Sequence, residues 1–247
     1  MQTVCEYAAE MTTSRPLILG HRGSPRRARE NTVAAFRMAR ADGADGVELD
    51  VHRTIDGELV VFHDAALEDF GVLAEAPFAQ VRAAYPWLPT LTEVLDECVG
   101  LLVNIEIKNS PPDADFDPDE GVAHAVVHLL RARGRDEVIV SSFNFPSIER
   151  VHALDASVPT GYLTGLQVTP MDAIAAAVAG GHRAVHPFFG MLADEGAATV
   201  VEAAHASGIA VNTWTVNEPN EIARLAAAGV DAVVTDVPAE ARAALIG

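Results

Sequence analysis

Two short runs carry acids and bases at every second position: Gly46-Val47-Glu48-Leu49-Asp50-Val51 and Asn104-Ile105-Glu106-Ile107-Lys108. Alternate residues of an extended chain share a face, so Glu48 pairs with Asp50, and Glu106 with Asn104 and Lys108. Three converging carboxylates would raise one another's pKa, and a divalent cation relieves that repulsion. All-oxygen ligation suits one hard ion, Mg²⁺ or Ca²⁺, over zinc. His21-Arg22 and His63-Asp64 supply the remaining chemistry. Two imidazoles can provide one base and one acid in a single turnover. The Arg22 fork can grip a phosphate oxygen, and Lys108 offers a point charge to the same group. Each signal has a plainer reading. A Glu-x-Asp pair is commonly a surface or ion-paired feature, Glu106 could pair with Lys108 or Arg22, and a lone histidine is more often structural. Trp214 is either core packing or a wall for the alcohol portion of a substrate. The joint occurrence of these residues favours chemistry, provided the elements bring them together.

Those elements alternate. Apolar or β-branched runs at 17–20, 46–51, 101–107, 137–142, 160–163, 184–186, 209–215 and 232–235 read as strands. Amphipathic stretches at 32–42, 91–98, 120–133, 145–154, 171–179, 193–206, 218–228 and 239–245 read as helices. Repeated β-then-α units in a chain of 247 residues predict a (β/α)8 TIM barrel. Glu93 and Glu120 are expected in first helical turns, and Pro146, Pro170, Pro219 and Pro238 near first helical positions. Gly43, Gly134, Gly180, Gly208 and Gly229 are expected just past helix ends. Residues 1–15 form an N-terminal extension to a barrel domain spanning 16–247, and residues 53–90 form a small irregular insertion within it, opening with a turn at Thr54–Gly57 and a return strand at Glu58–Phe62. A barrel gathers the C-terminal ends of its strands into one mouth. His21-Arg22, Glu48/Asp50, Glu106/Lys108, Trp214 and Asp236 all fall at such ends, and His63 ends the return strand.

Composition narrows the partners. The formal net charge is −18, from 17 basic and 35 acidic residues, which disfavours nucleic acid and stable association with anionic membranes. A phosphate-bearing small molecule would need a local cluster of cations or a metal. No apolar run is long enough to cross a bilayer, and the first residues do not read as a secretory signal. Cys5 and Cys98 have neither ligand spacing nor a disulfide pattern, which suits a reducing, cytoplasmic location. Nothing in the sequence fixes the oligomeric state.

Taken in order, Gly20-His21-Arg22-Gly23, Glu30-Asn31-Thr32, Gly46–Val51, Asp56-Gly57, His63-Asp64, Pro89-Thr90-Leu91, Asn104–Lys108, Ser141-Ser142-Phe143, Trp214–Asn217, Gly229-Val230-Asp231 and Thr235–Pro238 resemble the glycerophosphodiester phosphodiesterases. The resemblance implies a (β/α)8 barrel that hydrolyses glycerophosphodiesters to glycerol 3-phosphate and an alcohol. It implies that Glu48, Asp50 and Glu106 bind the metal and that His21 and His63 are the acid–base pair. Arg22 and Lys108 would then hold the phosphate, Trp214 would border the substrate, and Glu30 and Asn31 would support the site. The chain departs from the family pattern at Arg29, where a proline is common, at His52, and across Ala65–Gln80. Two rival readings use the same fold: a phospholipase D-like enzyme acting on lysophospholipids, and a barrel that binds a phosphate ligand without turning it over.

Overall fold

The computed structural model describes residues 15–134, 137–192 and 196–246. In chain order the elements are β1 (Leu17–His21), α1 (Val33–Ala41), β2 (Gly46–Arg53), β3 (Leu59–Val61), β4 (Ala66–Leu67), β5 (Gly71–Val72), α2 (Phe78–Ala84), α3 (Leu91–Glu97) and β6 (Leu102–Ile107). They continue with α4 (Gly121–Arg133), β7 (Val138–Ser142), α5 (Phe145–Leu154), β8 (Thr160–Thr164), α6 (Pro170–Gly180) and β9 (Ala184–Pro187). The last are α7 (Ala197–Ala206), β10 (Ala210–Thr213), α8 (Pro219–Ala227), β11 (Ala232–Thr235) and α9 (Pro238–Ile246). Among the described residues, β1, β2 and β6 to β11 form a parallel sheet that closes because β1 pairs with both β2 and β11. The eight-stranded (β/α)8 barrel expected from the alternation is the fold.

Strand alternation divides the apolar residues between two compartments. Val47, Leu49 and Val51 of β2 and Val103, Ile105 and Ile107 of β6 pack outward with helical residues such as Phe36, Leu95 and Val126. Ile18, Val185, Val211 and Val233 do the same on the opposite side of the barrel. Leu19, Leu102, Ile139, Ala184, Ala232 and Val234 point inward and plug the base of the barrel. With the base closed by hydrocarbon, polar residues farther along the same inward rows can lie only toward the mouth.

The helix signals set where each connection ends. Thr32 caps α1 by accepting from the Ala35 amide, and Thr90 with Glu93 forms a reciprocal capping box on α3. Proline opens α5, α6, α8 and α9, as expected. Two expectations are corrected. Gly180 is the last residue of α6, and Gly181 takes the left-handed conformation with φ 72°. Glu120 does not lie in the first turn of α4. It is the residue before the helix, left-handed at φ 60°, and its buried carboxylate accepts from Asn144 and Ser147. The insertion is also more regular than expected. It contains the β4–β5 ribbon and α2, around an apolar cluster of Val60, Leu67, Leu73, Val81 and Leu88 with Phe62, Phe70, Tyr85 and Trp87 beside it. Cys98 is buried, and burial pushes its thiol up to about 12, so it is unreactive. Cys5, all but Arg15 of the N-terminal extension, and the expected start of α7 at Ala193 lie outside the described residues.

The turn after β1 leaves no room for a side chain at Gly23. Gly23 has φ 93°, and a Cβ there would lie 2.6 Å from the Ala35 backbone. Gly23→Ala is expected to destabilise the protein by about 1–3 kcal/mol, read by urea denaturation. An unchanged midpoint would show that the turn relaxes without cost.

Candidate active site

Parallel pairing of β2 with β6 sets Asp50 opposite Glu106 and Glu48 opposite Asn104. Glu48, Asp50 and Glu106 are all buried, and one ligand oxygen from each lies within 4.8 Å of the others. Burial, then the charge of Asp50, pushes the Glu48 carboxyl up to about 8. Burial also raises Glu106, with Lys108 opposing it. Glu48 Oε1 is buried without a hydrogen-bond partner, and a buried oxygen of this kind is costly unless something binds it. The donor set, its spacing and this orphaned oxygen fit a hard divalent cation.

Two cations face the carboxylates. Lys108 Nζ lies 2.9 Å from Glu106 Oε1 and 3.5 Å from Asp50 Oδ1. Burial would lower the Lys108 pKa, but Glu106 and Asp50 outweigh it, and the ammonium stays charged. Arg22 Nε lies 3.2 Å from Asp50 Oδ2, and its Nη1 donates to Glu30 Oε1 at 2.9 Å. The Arg22 amide donates to Glu48 Oε2 at 3.0 Å. Arg22 and Asn31 both adopt left-handed backbone, at φ 53° and 55°, and the Asn31 amide donates to the Arg22 carbonyl. This fold-back lets buried Asn31 Nδ2 donate to Asp50 Oδ2 at 2.8 Å. Glu30 therefore holds Arg22, and Asn31 holds Asp50.

The imidazoles stand on opposite sides of the cluster. His21, opposite Glu48 in the β1–β2 ladder, has Nε2 4.0 Å from Glu48 Oε2. Its Nδ1 donates to Asp236 Oδ1 at 2.7 Å. Asn217 holds Asp236 twice: its Nδ2 donates to the carboxylate at Oδ2, and its Oδ1 accepts from the Asp236 backbone amide. Burial alone would lower the His21 pKa, but Asp236 and then Glu48 outweigh it, and the net shift is upward. β3 runs antiparallel along the far end of β2, which carries His63 over the Glu106 side. His63 Nδ1 lies 2.6 Å from Asp64 Oδ1. His63, Glu106 and Lys108 line one cavity of about 300 Å³ together with Asp64, Ser110, Asp113 and Phe143. Trp214 meets Phe143 edge-on, donates from its indole to the His186 carbonyl, and packs against the inward apolar cluster of the barrel.

Nine of the ten residues singled out in the sequence thus gather around the carboxylates, and Trp214 lies against Phe143 of the cavity wall. The sequence reading assigned no role to Asp236, Asn217 or Asp64, although each lies in a motif it noted. Only contacts between distant strands show that Asp236 and Asn217 serve His21. His186 is buried in the barrel, where burial pushes it down to about 3 and Asn212 donates to its Nε2. Asp236→Ala is expected to lower the His21 pKa, measured by NMR titration. An unmoved titration would mean that Asp236 does not govern the ring.

The sequence profile of the glycerophosphoryl diester phosphodiesterase family matches residues 21–240. A glycerophosphodiester phosphodiesterase of Caldanaerobacter subterraneus subsp. tengcongensis is 33% identical over 248 residues, covering 90% of this chain and 94% of its own. One from Bacillus altitudinis is 29% identical over 245 residues, with 90% and 94% covered. The crystal structure of the Thermotoga maritima glycerophosphodiester phosphodiesterase superposes with a TM-score of 0.78 at 26% identity, covering 91% of this chain and 96% of that one. With the profile spanning nearly the whole barrel, this chain belongs to the glycerophosphoryl diester phosphodiesterase family.

Proposed function

We propose that this protein hydrolyses glycerophosphodiesters to glycerol 3-phosphate and an alcohol, using one bound Mg²⁺ or Ca²⁺ and acid–base catalysis by His21 and His63. The observation that carries the reading is the trio of buried carboxylates, Glu48, Asp50 and Glu106, flanked by an imidazole on either side. Family membership and the names of the relatives support the reaction class.

Glu48, Asp50 and Glu106 would hold the cation, which when bound offsets charge on the phosphoryl oxygens. Arg22 and Lys108 draw the phosphate into place and stabilise charge that grows in the transition state. Glu30 and Asn31 keep Arg22 and Asp50 oriented. The Asp236 carboxylate favours protonated His21, which suits it to donate a proton to the leaving alkoxide. His63 then takes the proton of the nucleophile, either water or the 2-hydroxyl of the glycerol. Attack by the 2-hydroxyl gives a cyclic phosphate that water opens afterwards. Trp214 and Phe143 border the space left for the alcohol.

The direct test is a panel of glycerophosphodiesters assayed for glycerol 3-phosphate release, with and without EDTA, followed by add-back of each ion. Release that EDTA abolishes and an added ion restores is expected, and EDTA-insensitive turnover would sink the metal assignment. His21→Ala and His63→Ala should each lower kcat by at least about a hundredfold. Near-normal turnover by either folded variant removes that histidine from the mechanism.

The raised Glu48 pKa also predicts how the metal-free protein responds to pH. At Glu48 the folded protein keeps a proton that the unfolded chain releases between pH 4.5 and about 8, so the stability this carboxyl contributes without metal is lost as pH rises through that window. Glu48→Gln should raise the Tm of EDTA-treated protein at pH 8 while abolishing the Tm increase that metal gives the parent. A metal-induced Tm shift of undiminished size would show that Glu48 is not a ligand.

A further inference from the structure

His52 is the next residue in the inward row that holds Glu48 and Asp50, and it is fully enclosed, at 1% exposure. Its ring spans two segments that approach the mouth from different parts of the chain. Nδ1 lies 2.5 Å from Asp115 Oδ2, and Nε2 lies 3.1 Å from the backbone carbonyl of His63. Asp115 is equally buried, with 3% of its side chain exposed. A carbonyl oxygen can only accept, so the proton in that contact belongs to His52 Nε2. The Asp115 carboxylate opposite Nδ1 fixes the plane of the ring, as carboxylates do for imidazoles that must present one nitrogen in a set direction.

We infer that His52, held by Asp115, is a positioning residue for His63: it anchors the His63 backbone so that the His63 ring stays over the Glu106–Lys108 side of the site. Three observations support this. His63 stands just beyond β3, in a stretch of irregular backbone; its own side chain is more than a third exposed, and the Asp64 carboxylate that meets its Nδ1 is itself exposed, so the position of the ring depends on how its backbone is held. His52 is seated on the barrel, hydrogen-bonded within the β2–β3 ladder opposite Val60, and is therefore a rigid anchor. Asp115 comes from the segment that follows Lys108. That segment is stapled to itself: the Asn109 side chain bonds the Asp117 backbone through both its amide ends, and Asp113 accepts from the Ser110 amide. The same segment contributes Ser110 and Asp113 to the wall of the cavity that His63 also lines. One buried ring thus ties the carrier of His63 to another part of that wall. The plain alternative is a buried polar pair that adds stability and nothing else.

This inference rests on the reading that His63 takes part in the reaction, and the experiment separates the two. Asparagine places an amide near His52 Nδ1 but cannot reach the His63 carbonyl, so His52→Asn keeps the Asp115 contact and loses the other. The double variant H52Q/D115N restores a donor where Nε2 stood and sets one amide against another in place of the imidazole–carboxylate pair. kcat, KM, Tm and metal affinity are measured for both, beside His63→Ala, with a glycerophosphodiester as substrate. Expected are a tenfold or greater loss of kcat in H52N, about the cost of misplacing a reacting group, with little change in KM or metal affinity, and a kcat near the parent's in H52Q/D115N. Equal kcat in H52N and the parent overturns the inference, as does a loss that appears only in KM or only in Tm. Should H52N not fold, the double variant decides: kcat near the parent's supports the anchor, and kcat as low as that of His63→Ala overturns it. Full activity of His63→Ala would instead remove the mechanism on which the inference stands.

Discussion

Mutual repulsion of three carboxylates out of water is the constraint around which the mouth of this barrel is organised. Glu48, Asp50 and Glu106 cannot all ionise unaided, and several nearby polar residues answer that problem. Lys108 and Arg22 bring positive charge, the Arg22 amide and Asn31 donate to individual oxygens, and one Glu48 oxygen is left without a partner. The backbone around them is shaped for the same end. Left-handed Arg22 and Asn31 together with Gly23 fold the chain after β1 back onto the cluster, a conformation costly enough to persist only where contacts such as these hold it.

The β2–β6 ladder makes the arrangement robust. Six consecutive residue pairs fix its register, so Asp50 and Glu106 face each other as a consequence of strand pairing, before any side chain chooses a rotamer. A slip of one residue would turn Glu48 and Asp50 toward the helices and Val47, Leu49 and Val51 into the mouth. The hydrophobic cluster outside the barrel therefore protects the site as well as the fold.

Much of this was legible in the chain. Alternation in two strands was enough to place Glu48, Asp50, Glu106 and Lys108 on one face, because the period of a strand is a local property. β8 and β9 were legible from their own short runs at 160–163 and 184–186, weak as those are. What was not legible is contact across long separations. Asp236 reaches His21 over 215 residues, and no pattern near either residue announces it. Gly180 and Gly181 are adjacent candidates for one left-handed position, and only the length of α6 decides between them. Glu120 resembles a first-turn acid, yet Asn144 and Ser147 draw it into a buried network. The 53–90 segment reads as irregular because its strands are two or three residues long and show no usable period.

That segment has a consequence for how the enzyme would fail. His21 and the three carboxylates sit on barrel strands, and Lys108 directly follows one; opening those strands means unfolding the whole molecule. His63 follows β3, and the side chains behind it belong to a separate small cluster of Val60, Leu67, Leu73, Val81 and Leu88. Small clusters open more readily than the body they lean on. Heat or mild denaturant would therefore act in two stages: first the His52 contact gives and the His63 segment lifts from a still-folded barrel that keeps its three carboxylates together, and only later does the barrel itself unfold.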